Sequence, residues 1–143
     1  TRYMTLMYVN SNGMENVLQA GDVVECTLST QVERGDIIVF KRSDATMIKR
    51  VIAVAGDEIN ITEDGTVYLN GSELHETYIT STKTDAGDVT YPLTVPEDQV
   101  FVAGDNRVIS IDSRNGVMGN ISLSEIIGVV EMRVWPIYRI SIL

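Results

Sequence analysis

Gly104-Asp105-Asn106-Arg107-Val108-Ile109-Ser110-Ile111-Asp112-Ser113-Arg114 is entered directly from the apolar run Val100-Phe101-Val102-Ala103. The stretch concentrates strong hydrogen-bonding side chains next to a segment with the character of a buried strand. Groups of this kind cost stability in a protein interior unless they pair with one another. A solvated turn is the alternative reading of Gly-Asp-Asn taken alone. Downstream, residues 126–137 read as a strand-like tail, so the polar stretch is bracketed by β structure.

Working outward, the chain reads as strands. Residues 2–9 set Tyr3, Met7 and Val9 opposite Met4, Leu6 and Tyr8, which predicts a strand covered on both faces. Residues 10–16 form a polar loop, and residues 17–28 resume the strand habit with a break at Gly21-Asp22. Arg34-Gly35-Asp36 is a turn feeding Ile37-Ile38-Val39-Phe40, and the β-rich run 47–55 ends at Gly56-Asp57. Beyond Glu58, Ile59-Asn60-Ile61 and Val67-Tyr68-Leu69 flank Glu63-Asp64-Gly65, a hairpin signal, and Asn70-Gly71 is a further turn. Residues 76–88 are polar and read as an exposed loop. The segment of about 60–94 is expected to be a small β insertion, with Val95-Pro96-Glu97 leading back to the core. Helix is confined to a short turn over residues 122–126, where Ser122 and Glu125 have capping-box spacing. The expectation is an all-β domain over residues 1–143 with a twisted antiparallel core.

Composition narrows the function classes. The chain has 143 residues, 44% of them hydrophobic, enough for a real core. Its 11 Lys and Arg against 20 Asp and Glu leave a net charge of -9, so no basic stripe is available to neutralise nucleic-acid phosphates. Cys26 is the only cysteine and His75 the only histidine, which excludes an internal disulfide and a four-ligand Cys/His zinc site. No cofactor and no metal are expected. His75 lies in the polar Glu73-Leu74-His75-Glu76 and reads as a surface residue rather than a member of a Ser-His-Asp triad. The Trp135 segment, residues 132–138, reads as a closing strand of the core, with a membrane-contacting edge as the alternative.

Met47-Ile48-Lys49-Arg50-Val51-Ile52-Ala53-Val54 places Lys49 on one face with Met47, Val51 and Ala53, and Arg50 on the other with Ile48, Ile52 and Val54. Both faces are apolar, so one cation is expected to leave water. Burial lowers the pKa of a lysine, whereas an arginine stays protonated. Lys49 is therefore the candidate base, against the alternative of a lysine snorkelling from a strand end.

Together these stretches resemble the type I signal peptidases. The pattern Gly-Asp-Asn-Arg-x-x-Ser-x-Asp-Ser-Arg matches at residues 104–114, and Lys49-Arg50-Val51-Ile52 followed by Gly56-Asp57 is similar to the family's lysine motif. Gly21-Asp22-Val23-Val24 and Gly35-Asp36-Ile37-Ile38-Val39 look like the Gly-Asp strand motifs that precede it. The resemblance implies a Ser/Lys dyad with Lys49 as general base, Ser110 orienting it, and Ser11 in the oxyanion hole. It further implies support from Asp105, Arg107, Asp112 and Arg114, and a substrate-binding role for Met14. The departure is at the nucleophile. The family's Ser-x-Ser-Met-x-Pro-Thr-Leu reads here as Ser11-Asn12-Gly13-Met14-Glu15-Asn16-Val17-Leu18, with Gly13 at the attacking position.

The activity implied is removal of signal peptides from exported preproteins by a domain on the extracytoplasmic side of the cell membrane, held there by an N-terminal anchor ahead of Thr1. Without a hydroxyl at Gly13 the chain is expected to be inactive. Two other readings stay open: a non-catalytic assembly or chaperone factor for exported pilin-type subunits, and a self-cleaving repressor domain, against which the loop motifs count.

Overall fold

The computed structural model describes residues 3–143, and its regular elements are antiparallel strands with two short 3-10 turns. In chain order these are β1 (Met4–Tyr8), β2 (Val23–Leu28), β3 (Ile37–Arg42), β4 (Ala45–Val54), β5 (Glu58–Ile61) and β6 (Val67–Leu69). They continue with β7 (Ser72–Glu73), β8 (Leu93–Thr94), β9 (Gln99–Ala103), β10 (Ile121–Ser122), β11 (Ile126–Trp135) and β12 (Ser141–Ile142). The larger sheet has the order β1-β2-β11-β3-β4-β9-β10, with β12 added to β11, and the smaller has the order β7-β6-β5-β8. Ile37-Ile38-Val39-Phe40 is buried at all four positions. An unbroken apolar run of this kind suits a strand covered on both faces, and β3 accordingly lies inside the sheet between β11 and β4.

Three apolar clusters hold the layers together. Val24, Cys26, Ile37, Val39 and Val130 pack with Met14 and Leu18 from the loop after β1. Ile38, Phe40, Val51, Val100, Val102, Ile121 and Ile126 form a second cluster. The third joins the two sheets, with Ile52, Ala53 and Phe101 from the larger meeting Ile59, Ile61, Val67 and Val95 of the smaller segment. The short turn expected near Ser122 is a single 3-10 turn, Leu123–Glu125, in which the Ser122 amide donates to Glu125 Oε1 at 2.9 Å. Arg42 binds the same carboxylate.

Three expectations are corrected. The strand expected over residues 2–9 is β1, an edge strand, and Arg2 lies outside the described residues. Its Thr5 and Met7 pair with the core-facing Cys26 and Val24. Met4, Leu6 and Tyr8 point the other way and are exposed, because no layer is stacked on that face. The strand habit assigned to residues 17–28 begins only at Val23, since the Gly21-Asp22 turn is used to enter β2. The segment expected as a closing strand over residues 132–138 is a core strand only as far as Trp135, the last residue of β11, which runs inside the sheet between β2 and β3. Trp135 itself and Ile137 and Tyr138 after it are exposed. Among the described residues no helix is long and apolar enough to cross a membrane.

Candidate active site

β4 lies between β3 and β9, and the register pairs Arg50 with Ala103, the last residue of β9. The chain therefore leaves β9 beside Lys49, makes the long excursion of residues 104–120, and returns as β10 alongside β9. That excursion brings Ser110 back over the lysine. Lys49 is 5% exposed, and its Nζ donates to Ser110 Oγ at 2.9 Å. Burial pushes the amine below the usual lysine value of 10.5. The Asp112 carboxylate opposes the shift, Arg114 adds to it, and Asp105 opposes it.

The excursion is held by buried ion pairs. Asp112 is fully buried and accepts from Arg114 Nε at 2.8 Å, Arg114 Nη2 at 2.9 Å and the Gly104 amide at 2.9 Å. Burial works against its charge, but the arginine fork and these amides outweigh it, so the carboxyl titrates below the ordinary aspartate value. Arg114 also donates to the Ser110 carbonyl at 3.1 Å, which ties the ion pair to the backbone of the residue that holds Lys49. Ser113 exchanges two hydrogen bonds with Val102, at 2.9 and 3.1 Å, fixing the end of the excursion to β9. At its start, Asp105 accepts from Arg50 at 2.9 and 2.7 Å, and Arg107 Nε donates to the Gly104 carbonyl at 2.8 Å.

Gly13 completes the arrangement from the opposite side. Its carbonyl accepts the Asn106 amide at 3.0 Å, joining the loop after β1 to the excursion. A Cβ placed on Gly13 would lie 2.7 Å from Lys49 Nζ and 3.7 Å from Ser110 Oγ. The first carbon of any side chain at position 13 thus lies against the amine, and the flexible end of Lys49 must shift to admit it. Gly104 is required by close approach, since a Cβ there would come within 2.1 Å of Ser110 Oγ and 2.4 Å of the Gly13 carbonyl.

Lys49, Ser110 and Gly13 therefore converge, with Asp105, Arg107, Asp112 and Arg114 packed behind them. Ser11 is exposed two residues ahead of Gly13. Met14 faces inward: it is 2% exposed, sits in the first core cluster, and its sulfur accepts the Asp105 amide at 3.4 Å. It supports both loops from below. Residues 76–88 form a largely exposed loop as expected, and the correction is local: the Glu76 side chain is 3% exposed and Thr84 is buried. No local signal marks Glu76, because the arginine it pairs with, Arg107, lies in a distant segment.

Comparison with known proteins identifies the family. The profile of the family described as "Signal peptidase, peptidase S26" matches residues 1–135. The "Probable signal peptidase I-2" of Synechocystis sp. is 36% identical over 95% of this chain and 65% of its own length. "Signal peptidase I P" of Bacillus subtilis subsp. natto is 38% identical over 76% of this chain and 62% of its own length. The chain thus spans less than two thirds of either relative. A crystal structure of a signal peptidase I from Enterococcus faecalis V583 superposes with a TM-score of 0.57 at 33% identity, covering 69% of this chain and 96% of that one. On the profile match over nearly its whole length, this chain belongs to the signal peptidase family, peptidase S26.

Proposed function

We propose that this chain is the catalytic region of a signal peptidase I type serine endopeptidase whose nucleophile position is Gly13, and that it is inactive in this form. The observation that carries the reading is the aim of position 13. The Cβ of a serine there would come within 2.7 Å of a buried lysine amine now held by Ser110, so the flexible end of Lys49 shifts to admit it and is left next to the new side chain. In a serine-bearing site the hydroxyl attacks the scissile carbonyl and Lys49 takes its proton. The same amine then protonates the leaving amine and later activates the water that releases the acyl group. The Ser11 hydroxyl and the amide of residue 13 are the oxyanion donors in this scheme. Gly13 removes the first step, and loss of a nucleophile costs on the order of a million-fold in turnover.

The substrate class is the signal peptide of an exported preprotein, bound extended by strand addition with small residues at alternating positions. Such substrates place the domain on the extracytoplasmic side of the cell membrane. Met14 contributes to substrate binding indirectly, as the buried floor of the loop that carries position 13.

The test is Gly13→Ser, assayed on a signal-peptide substrate. Cleavage is expected, together with its loss on a further Lys49→Ala. If the serine chain is silent, Asn16→Pro and Val17→Thr restore the loop of the family pattern, because a hydroxyl displaced by about 1 Å loses on the order of a hundredfold in rate. A folded triple variant that binds Ala-x-Ala peptides and cleaves nothing would overturn the enzymatic reading. It would favour the alternative of a non-catalytic assembly factor for pilin-type subunits.

A further inference from the structure

A buried charge from outside the motifs, Glu76, enters where residues 74–88, between β7 and β8, meet the excursion that carries Ser110. The Glu76 and Arg107 side chains are 3% and 2% exposed. Arg107 Nη1 donates to Glu76 Oε1 at 2.9 Å and to Thr84 Oγ1 at 3.1 Å, and Nη2 donates to Glu76 Oε2. The Tyr78 hydroxyl donates to the same carboxylate at 2.7 Å. The Tyr78 ring faces the Arg50 guanidinium, 3.9 Å from its carbon to the ring centroid, and that guanidinium forks onto Asp105. A continuous series of contacts thus runs from Arg107 through Glu76, Tyr78 and Arg50 to Asp105. It begins and ends in the excursion and crosses β4 at the residue next to Lys49.

A second attachment lies further along. The Asp88 amide donates to the Arg114 carbonyl at 3.1 Å, Arg114 Nη1 to the Asp85 carbonyl at 3.2 Å, and the Gly116 amide to Asp88 Oδ1 at 2.6 Å. Gly87 has a φ of +72°, and a Cβ there would fall 2.1 Å from the Arg114 carbonyl oxygen, so the two backbones meet where only glycine fits. Charge balance explains why the first attachment is needed. Asp105 pairs with Arg50 and Asp112 with Arg114, which leaves Glu76 as the carboxylate that neutralises buried Arg107. A buried charge without its partner costs about 3–5 kcal/mol.

We propose that Glu76 and Tyr78 are positioning residues, and that the segment bearing them clamps the excursion so that Ser110 stays against Lys49 and the lysine amine stays out of water. The clamp rests on the reading of Lys49 as the base of the proposed reaction, and its primary test does not require that reaction. The aromatic ring over Arg50 holds the guanidinium on Asp105, and Asp105 adjoins Gly104, whose approach to Ser110 admits no added atom. Loss of the ring frees the start of the excursion, and water reaches the amine.

The experiment is an NMR titration of the Lys49 side chain in the chain as it stands and in Tyr78→Ala and Tyr78→Phe. The charges acting on that amine, Asp105, Asp112 and Arg114, are untouched by either substitution. The Lys49 midpoint is expected to rise toward 10.5 in Tyr78→Ala and to keep its lowered position in Tyr78→Phe, which retains the ring. Mere loss of stability would lower the melting temperature and leave the midpoint of the folded protein where it was. An unmoved midpoint in folded Tyr78→Ala overturns the proposal. If that variant does not fold, Tyr78→Leu keeps more of the apolar volume without the ring and is read by the same criterion. In a Gly13→Ser chain that cleaves, Tyr78→Ala should lower kcat about 100-fold with KM little changed, and Tyr78→Phe should recover most of it. A Gly13→Ser chain that cleaves nothing would count against the enzymatic reading alone, since the Lys49 midpoint still decides for or against the clamp.

Discussion

The loop of residues 10–18 and the excursion of residues 104–120 meet at Lys49, and different forces hold them. The excursion is tied by side-chain charge: Asp105, Arg107, Asp112 and Arg114 are all buried and all paired. The first loop carries no such pair. Its ties are backbone bonds, from the Leu18 amide to the Met14 carbonyl at 2.9 Å and from the Asn106 amide to the Gly13 carbonyl at 3.0 Å, and the buried side chains Met14 and Leu18. Two outside side chains also donate to its carbonyls, Arg133 Nη1 to Val17 at 2.6 Å and Asn106 Nδ2 to Asn12 at 3.2 Å. Ser11, Asn12 and Asn16 are exposed. A loop anchored by apolar side chains tolerates polar exchange at its surface, whereas one anchored by buried ions fails when a single partner is lost. The chain departs from the pattern it resembles at Gly13, Asn16 and Val17, all in the first loop, and at none of the fixed positions of residues 104–114.

The contrast breaks most sharply at Asp112. Asp112→Ala leaves Arg114 buried without its carboxylate and should cost about 3–5 kcal/mol in denaturant unfolding. A loss below about 1 kcal/mol would mean that the ions do not hold the excursion. Met14→Ala is the matching change in the first loop. It removes a buried side chain from the first cluster and should cost about 2–5 kcal/mol, at the lower end if the loop collapses onto the gap. Its signature is a loosened Gly13–Asn106 contact, read by faster amide exchange at Asn106.

Lys49→Met, between the two loops, should have the smallest effect and the opposite sign. The folded-state pKa of Lys49 is depressed, so below 10.5 the unfolded chain holds more protons at this site than the folded one. Stability then rises with pH from the lowered midpoint up to 10.5 in the unsubstituted chain. The methionine variant lacks this dependence, so it should be the more stable of the two at neutral pH and lose its advantage as pH approaches 10.5. Parallel unfolding curves across that window test the sign, and a constant difference would mean that the amine is not desolvated.

Much of the molecule was legible in order along the chain. Ile37-Ile38-Val39-Phe40, Val100-Phe101-Val102-Ala103 and the hairpin around Glu63-Asp64-Gly65 became β3, β9 and the β5–β6 turn, because local apolar runs and turn residues carry their own signal. The covering of a face carries none. The alternation in β1 is that of a core strand, yet whether a second layer lies over Met4, Leu6 and Tyr8 depends on what the rest of the chain stacks there. Glu76 and Tyr78 escaped for a related reason. Polar residues in a turn-rich stretch look solvated until an arginine more than twenty-five positions away requires a partner.

Taken alone, the sequence determined the β architecture and singled out Lys49 over Arg50 as the cation whose pKa burial lowers, since each rests on residue chemistry within a short window, while the pairing of Asp112 with Arg114 was implied by the family resemblance. Tertiary structure alone decided that Ser110 meets Lys49 at 2.9 Å, that position 13 points at the same amine, and that Met14 turns inward. It also decided that the smaller sheet's segment closes over the excursion. These depend on the pairing of β4 with β9 and on the balance of buried charge across distant segments, both of which arise only once the chain has folded.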